Sequence, residues 1–219
     1  KERATDIHVE PLENNLRIGL RDVFLHAHDA YGGQLSGQES ADDTATALLD
    51  FFADRLKVHL REQGIKHDRV AAVFGLGQQD DLVRLMAQVR ALSAFLESDD
   101  GANLLTAYRR AANIVAAETK KDGSRQSGEA DRDQMADPAE IALADGLRDA
   151  ASSMSNALKS EDFDGAMATL AALRNPVDTF FDQVTVNAGD PALRINRLKL
   201  LGAITATVSH VADFSVIEG

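Results

Sequence analysis

Pro176 and Pro191 constrain the C-terminal part of this 219-residue chain more tightly than any other residues. A proline inside a helix removes a hydrogen bond, but the first turn tolerates one. Asn175 precedes Pro176 and Asp190 precedes Pro191, and both residue types cap helix starts with a side-chain oxygen. Asp178 and Asp182 add negative charge early in the first of these helices. Ala188-Gly189 breaks the chain, and the second helix then carries Leu193, Leu200, Leu201, Ile204, Val208 and Val211 on one side. The expectation is a helix, a tight corner and a long closing helix.

The rest of the chain reads the same way. Residues 1–13 show no clean period. Leu16–Tyr31 is an amphipathic helix with Leu16, Leu20, Val23, Phe24 and Ala27 inward, and Gly32–Ser40 is a loop. Asp43–Gln63 is a helix stopped by Gly64, with Leu48, Leu49, Phe52, Leu56 and Leu60 as its buried stripe. His67–Leu76 is a short helix. Asp80 or Asp81 starts the next, holding Leu82, Leu85, Val89, Leu92 and Leu96. Asp99 or Asp100 caps another, with Leu104, Leu105, Tyr108, Ala111, Ala112 and Val115 on one face. Residues 120–137 are almost without apolar side chains and read as a flexible surface connection. Pro138 opens a helix with Ile141, Leu147, Ala151, Met154 and Leu158 at helical spacing, and Asp162 caps a short one with Phe163, Met167 and Leu170. Nothing alternates with period 2 for long, so the fold class is all-α, an irregular bundle of about eight or nine helices.

Chemistry is sought and mostly not found. There is no cysteine, so neither a disulfide nor a thiolate metal site exists, and no apolar run reaches membrane-spanning length. No signal peptide opens the chain, and Lys1 is not an initiator methionine, so the chain reads as a piece of a longer protein. His26 and His28 point in different directions on a helix. Gly75-Leu76-Gly77 lacks the third glycine of a dinucleotide loop and no strand precedes it. His67-Asp68 matches the dipeptide of HD phosphohydrolases, yet further ligands cannot be placed; a helix start accounts for it. The acid pairs Asp42/Asp43, Asp80/Asp81 and Asp99/Asp100 each precede a helix, where the dipole favours them. A formal net charge of −12 argues against a nucleic-acid partner when read alone, although it leaves room for a local basic patch.

Several ordered motifs nevertheless agree. Pro176-Val177-Asp178-Thr179-Phe180-Phe181-Asp182-Gln183-Val184, then Asp190-Pro191-Ala192-Leu193-Arg194-Ile195-Asn196-Arg197-Leu198, then Val211-Ala212-Asp213-Phe214-Ser215 resemble the C-terminus of the bacterial glycyl-tRNA synthetase β subunit family. Upstream, Phe51-Phe52-Ala53-Asp54-Arg55-Leu56, Leu60-Arg61-Glu62-Gln63-Gly64 and Tyr108–Ile114 extend the likeness from about Leu48 onward, and residues 12–17 resemble the end of the preceding segment. The Asp-Ala-Leu-Arg signature stands here with Pro191 interposed. The resemblance implies a helical anticodon-binding domain over residues 41–219, with 1–40 closing a preceding domain. It implies glycine tRNA as partner, an α subunit in an α2β2 tetramer, a cytoplasmic setting, and ATP and Mg used by the parent enzyme while this segment catalyses nothing.

Three clusters could contact RNA. Arg194 and Arg197 lie within the arc holding Leu193, Leu200 and Ile204, with Asn196 between them. Their stems can cover the core while the guanidinium groups pair with Asp178 or Asp182, or the planar groups can stack on unpaired bases. Arg109, Arg110 and Asn113 offer arginines for phosphates and an amide for a base edge, or form a solvated helix face. Phe51 with Arg55 offers a ring beside a cation, or core packing. Two other classes compete: an assembly module without RNA contact, and a hydrolase built around His67-Asp68.

Overall fold

A computed structural model describes residues 17–31, 40–77 and 80–218. The expectations for residues 1–16 and for the loop 32–39 lie outside the described residues. Among the described residues there are nine α-helices and no strand, only an isolated bridge between Gly19 and Asp81. The helices are α1 Leu20–Tyr31, α2 Ala41–Glu62, α3 His67–Phe74, α4 Leu82–Glu97, α5 Asp99–Asp122, α6 Pro138–Lys159, α7 Phe163–Ala172, α8 Arg174–Gln183 and α9 Pro191–Val208. The chain divides into two compact units, residues 1–90 and 91–219, so the division falls inside α4.

In the first unit α2 packs against α1 and α3. Ser40 caps α2 by accepting from the Asp43 N–H at 3.1 Å, and Gly64 takes the left-handed conformation (φ 84°) that ends it. Leu56 and Leu60 are fully buried, but Leu48 is 37% exposed, Phe51 46% and Val58 56%. The buried stripe is therefore narrower than the periodicity predicts, and Leu48 and Phe51 both face solvent. On α1, Phe24 meets Phe52 at 5.2 Å, while Val23 and Ala27 are exposed instead of inward. Helix α3 ends at Phe74, two residues before the expected Leu76.

The second unit is built on α5 and α6. Helix α9 lies against both, α8 against both, and α7 joins them. Phe180, Phe214, Leu92, Leu104, Leu143, Met154, Leu170, Leu173 and Leu200 are among its fully buried large side chains. Burial of each is worth about 1.5–3 kcal/mol relative to exposure. Four details depart from expectation. Ser98, not Asp99 or Asp100, caps α5, its hydroxyl accepting from the Gly101 N–H at 3.1 Å. Helix α8 begins at Arg174, because Leu173 keeps helical dihedrals and the chain barely breaks after α7; Asn175 lies inside the first turn and is no cap. The buried face of α6 is Ala139, Leu143, Leu147, Ala150 and Met154, with Ala151 outside. Finally, residues 120–137 are not a loose connection. Helix α5 runs on to Asp122, Gly123 closes it in the left-handed region (φ 75°), and a 3-10 turn over Arg132–Gln134 is tied to the bundle.

Gly101 makes the α4–α5 corner possible: a Cβ there would stand 2.0 Å from the Phe95 carbonyl oxygen. Gly101→Ala is expected to lower stability by about 3 kcal/mol, the upper end of overpacking costs, measured as a shift in the urea midpoint.

Candidate nucleic-acid interface

The closing helix uses its polar residues inward. Arg197 donates through Nε to Glu140 Oε1 at 2.9 Å and through Nη1 to the Thr185 carbonyl at 2.8 Å. Glu140 is completely buried, and its Oε2 also accepts the N–H groups of Ala136 at 3.0 Å and Asp137 at 2.9 Å. With Asp137 it forms the capping box of α6. Asn196, 2% exposed, holds the backbone of Asp131 at two points: Asp131 N–H donates to its Oδ1 (2.7 Å) and its Nδ2 donates to Asp131 O (2.8 Å). Arg194 pairs with Glu118 and, at 2.8 Å, with Asp122 at the end of α5. The expected partners are wrong, since Asp178 instead faces Arg174 at 3.6 Å. Arg194, Asn196 and Arg197 thus hold helices together and are not available as a recognition surface.

The outer side of α5 carries what is available. Arg109, Asn113, Ala116 and Lys120 follow at i, i+4, i+7 and i+11, and so share one face. Arg109 donates to the Ile217 carbonyl at 2.7 Å, which occupies one of its five N–H donors. Asn113 is exposed. Arg110 turns away from this face and lies over the Phe181 ring at 4.2 Å, a cation–π contact that joins α5 to α8. Arg55 belongs to the first unit, where it covers exposed Phe51 at 5.3 Å. Within the second unit the six candidate residues therefore do not share one exposed face.

Beside the α5 face runs a groove of about 670 Å³ between α5 and α9, lined by Tyr108, Ala112, Val115, Ala116, Thr119, Lys120, Arg125, Thr205, Ala206 and Ser209. Arg194 at the start of α9 meets the end of α5, and Ser209 just past the end of α9 lies by Tyr108 in the first half of α5, so the walls are antiparallel. No carboxylate among the described residues pairs with Lys120 or Arg125. Burial pushes the Tyr108 phenol upward, and the nearby Asp213 charge adds to this, so the group stays neutral at physiological pH. Tyr108 reads from sequence as core, and Lys120 and Arg125 as linker. The available signal was Lys120-Lys121-Asp122-Gly123, basic residues in a last turn followed by glycine, which marks the helix end there.

Among the described residues no group of three His, Asp or Glu converges to hold a metal. His67 opens α3, and Asp68 Oδ1 accepts the Arg69 N–H at 2.8 Å. No helix among them is long and apolar enough to cross a membrane. Such a unit, all helix with an open basic-edged groove, is a binding domain in form. Residues 104–214, half the chain, match the DALR anticodon binding domain, and the chain belongs to that family.

Across 95% of its length the chain is 53% identical to the glycine–tRNA ligase beta subunit of Rhodospirillum centenum and 44% identical to that of Ruegeria sp. TM1040. Over 78% of its length it is 54% identical to that of Phenylobacterium zucineum. It spans 29%, 28% and 25% of those proteins, less than a third of each.

Two outcomes follow for the polar ties. Arg197→Met leaves Glu140 buried without its partner and should cost about 3–5 kcal/mol in chemical unfolding. The hydrogen bond from Arg194 holds the Glu118 carboxyl below its ordinary 4.5, so its stabilisation is present above that value and lost as pH falls through the depressed one. Arg194→Gln should therefore flatten the fall of the unfolding midpoint between neutral and strongly acid pH.

Proposed function

We propose that this chain is the anticodon-binding region of a glycine–tRNA ligase beta subunit, and that its second unit engages the anticodon loop of glycine tRNA. One observation carries the reading: the family match over residues 104–214 falls on the helical unit whose groove is edged by cations without carboxylate partners. Its mechanism is positional. Arg109, Lys120 and Arg125 take backbone phosphates and set the register; Asn113 and the groove meet base edges. Arg110 on Phe181 presents a planar cation on which a base can stack. The region itself performs no chemistry. In the whole ligase, working in the cytoplasm as an α2β2 assembly, glycine is activated with ATP and Mg at the α subunit and joined to the tRNA that this region holds.

A second reading rests on the first unit. Leu48, Phe51 and Val58 are exposed along α2 at helical spacing, as in a face that meets another protein surface. It makes the chain an assembly module without RNA contact.

Binding to glycine tRNA, and to a copy with both anticodon cytosines replaced, separates the two. Tighter binding to the native tRNA is expected, with a log–log salt slope of about −2 if the three cations meet single-stranded phosphates. Lys120→Gln should reduce that slope by somewhat less than 1, whereas Asn196→Ala should affect unfolding and leave the slope alone. No binding at low salt would favour the assembly module.

A further inference from the structure

The outward side of α2 is matched to itself. Leu48, Phe51, Arg55 and Val58 follow at i, i+3, i+7 and i+10, the spacing of a seam between two helices. All four are exposed, and Arg55 covers the Phe51 ring at 5.3 Å. Leu56 and Leu60 are buried and α2 packs against α1 and α3, which leaves the seam open to solvent. Charge is sorted along the same helix. Asp43 and Asp50 lie in its first half, and Arg55, Lys57 and Arg61 in its second. Lys57 is engaged by Asp54 at 3.0 Å, while no carboxylate among the described residues pairs with Arg55 or Arg61. A helix acidic at its start and basic at its end complements a copy of itself when the two run antiparallel, and the helix dipoles favour the same sense.

We propose that α2 pairs with α2 of a second copy of this chain, antiparallel, about a two-fold axis that passes between Phe51 and Arg55. In that register Leu48 of one copy meets Val58 of the other, each Phe51 lies beside the other copy's Arg55, and Thr44 meets Glu62. On the flank, Arg61 reaches Asp43 of the other copy at both ends. A two-fold contact requires one patch to complement itself. This patch does so in apolar content and in charge. One pair opposes it: the two Asp54 carboxylates stand near the axis, each answered by its own Lys57. The proposal takes up the exposed α2 face noted above, names a second copy as its occupant, and is independent of RNA binding by the second unit. A single helix face buries less than the roughly 1,200 Å² of standard interfaces, so the pairing is weak and reversible.

Sedimentation equilibrium of this chain tests the pairing. A dimer with a dissociation constant between about 1 µM and 1 mM is expected. Val58→Asp, at an exposed position, should weaken it about tenfold, and Asp54→Asn should tighten it about twofold by removing a like-charge contact. Arg61→Glu and Asp43→Lys should each weaken self-association. Mixing those two variants should restore it, because opposite charges then face each other at both ends. The chain has no cysteine, so introduced thiols report alone. Leu48→Cys mixed with Val58→Cys should form a disulfide-linked dimer about tenfold faster than either variant by itself, since only the mixed pair brings the Cα atoms within roughly 7 Å. A monomer at about 1 mM overturns the pairing and leaves the face to a segment of the longer ligase subunit. Dimerisation that Val58→Asp and Asp54→Asn do not move, or faster cross-linking of like with like, overturns the antiparallel α2 contact. Binding of glycine tRNA is read separately, so the anticodon-binding reading stands or falls on its own measurement.

Discussion

The buried carboxylate of Glu140 is the point on which the second unit turns. A charge taken out of water is costly unless it is both paired and hydrogen-bonded. Here one carboxylate receives two backbone N–H groups before α6 and two nitrogens of the Arg197 guanidinium. Arg197 in turn holds the Thr185 carbonyl in the loop leading to α9. A hydrocarbon pair of similar volume could match such an ion pair in stability. It could not fix the start of α6, the rotation of α9 and the path of a loop with one set of directed bonds. The Asp-Pro-Ala-Leu-Arg signature reads accordingly: Asp190 caps, Pro191 starts, Leu193 is half-buried, and Arg194 fastens α9 to the end of α5.

This arrangement explains what sequence reasoning could and could not reach. Capping residues, prolines and apolar spacing announce helices because their causes are local: Asp162 and Asp190 cap where they should, and Pro138 opens α6. The partners of Arg194 and Arg197 lie 76 and 57 residues away in sequence, and no local pattern distinguishes Glu118 from Asp178 as a partner. Residues 120–137 depart from expectation for the same reason. Their lack of apolar side chains suggests looseness, yet they are held by polar bonds: the bidentate Arg132–Asp145 pair and the Asn196 clamp. The groove was invisible because its polar residues come from two helices nearly a hundred residues apart, and each looks ordinary on its own helix.

The net charge of −12 also takes on a different meaning. Glu118, Asp122, Glu140, Asp145 and Asp100 are consumed as partners of Arg194, Arg197, Arg132 and Arg174. The overall count therefore says little about the field at any one place. What decides the local field is which charges are left over, and beside the α5–α9 groove these are Lys120 and Arg125, with the Asp213 carboxylate close to Tyr108 as well. At a surface otherwise rich in carboxylates, such a spot attracts a polyanion only at close range, within a Debye length of about 8 Å at physiological salt. Long-range steering is weak, and correct docking carries the discrimination.

The clamp that Asn196 places on Asp131 touches only main-chain atoms, one N–H and one carbonyl. It is therefore blind to which side chains occupy the stretch between Gly123 and Asp131. It is not blind to their number. Adding or removing one residue there would bring a different amide to Asn196, and the 3-10 turn behind it would lose its tether to Asp145. The clamp thus measures the length of this segment and not its composition, which Arg125 at the groove and the left-handed Gly128 (φ 91°) constrain on their own account.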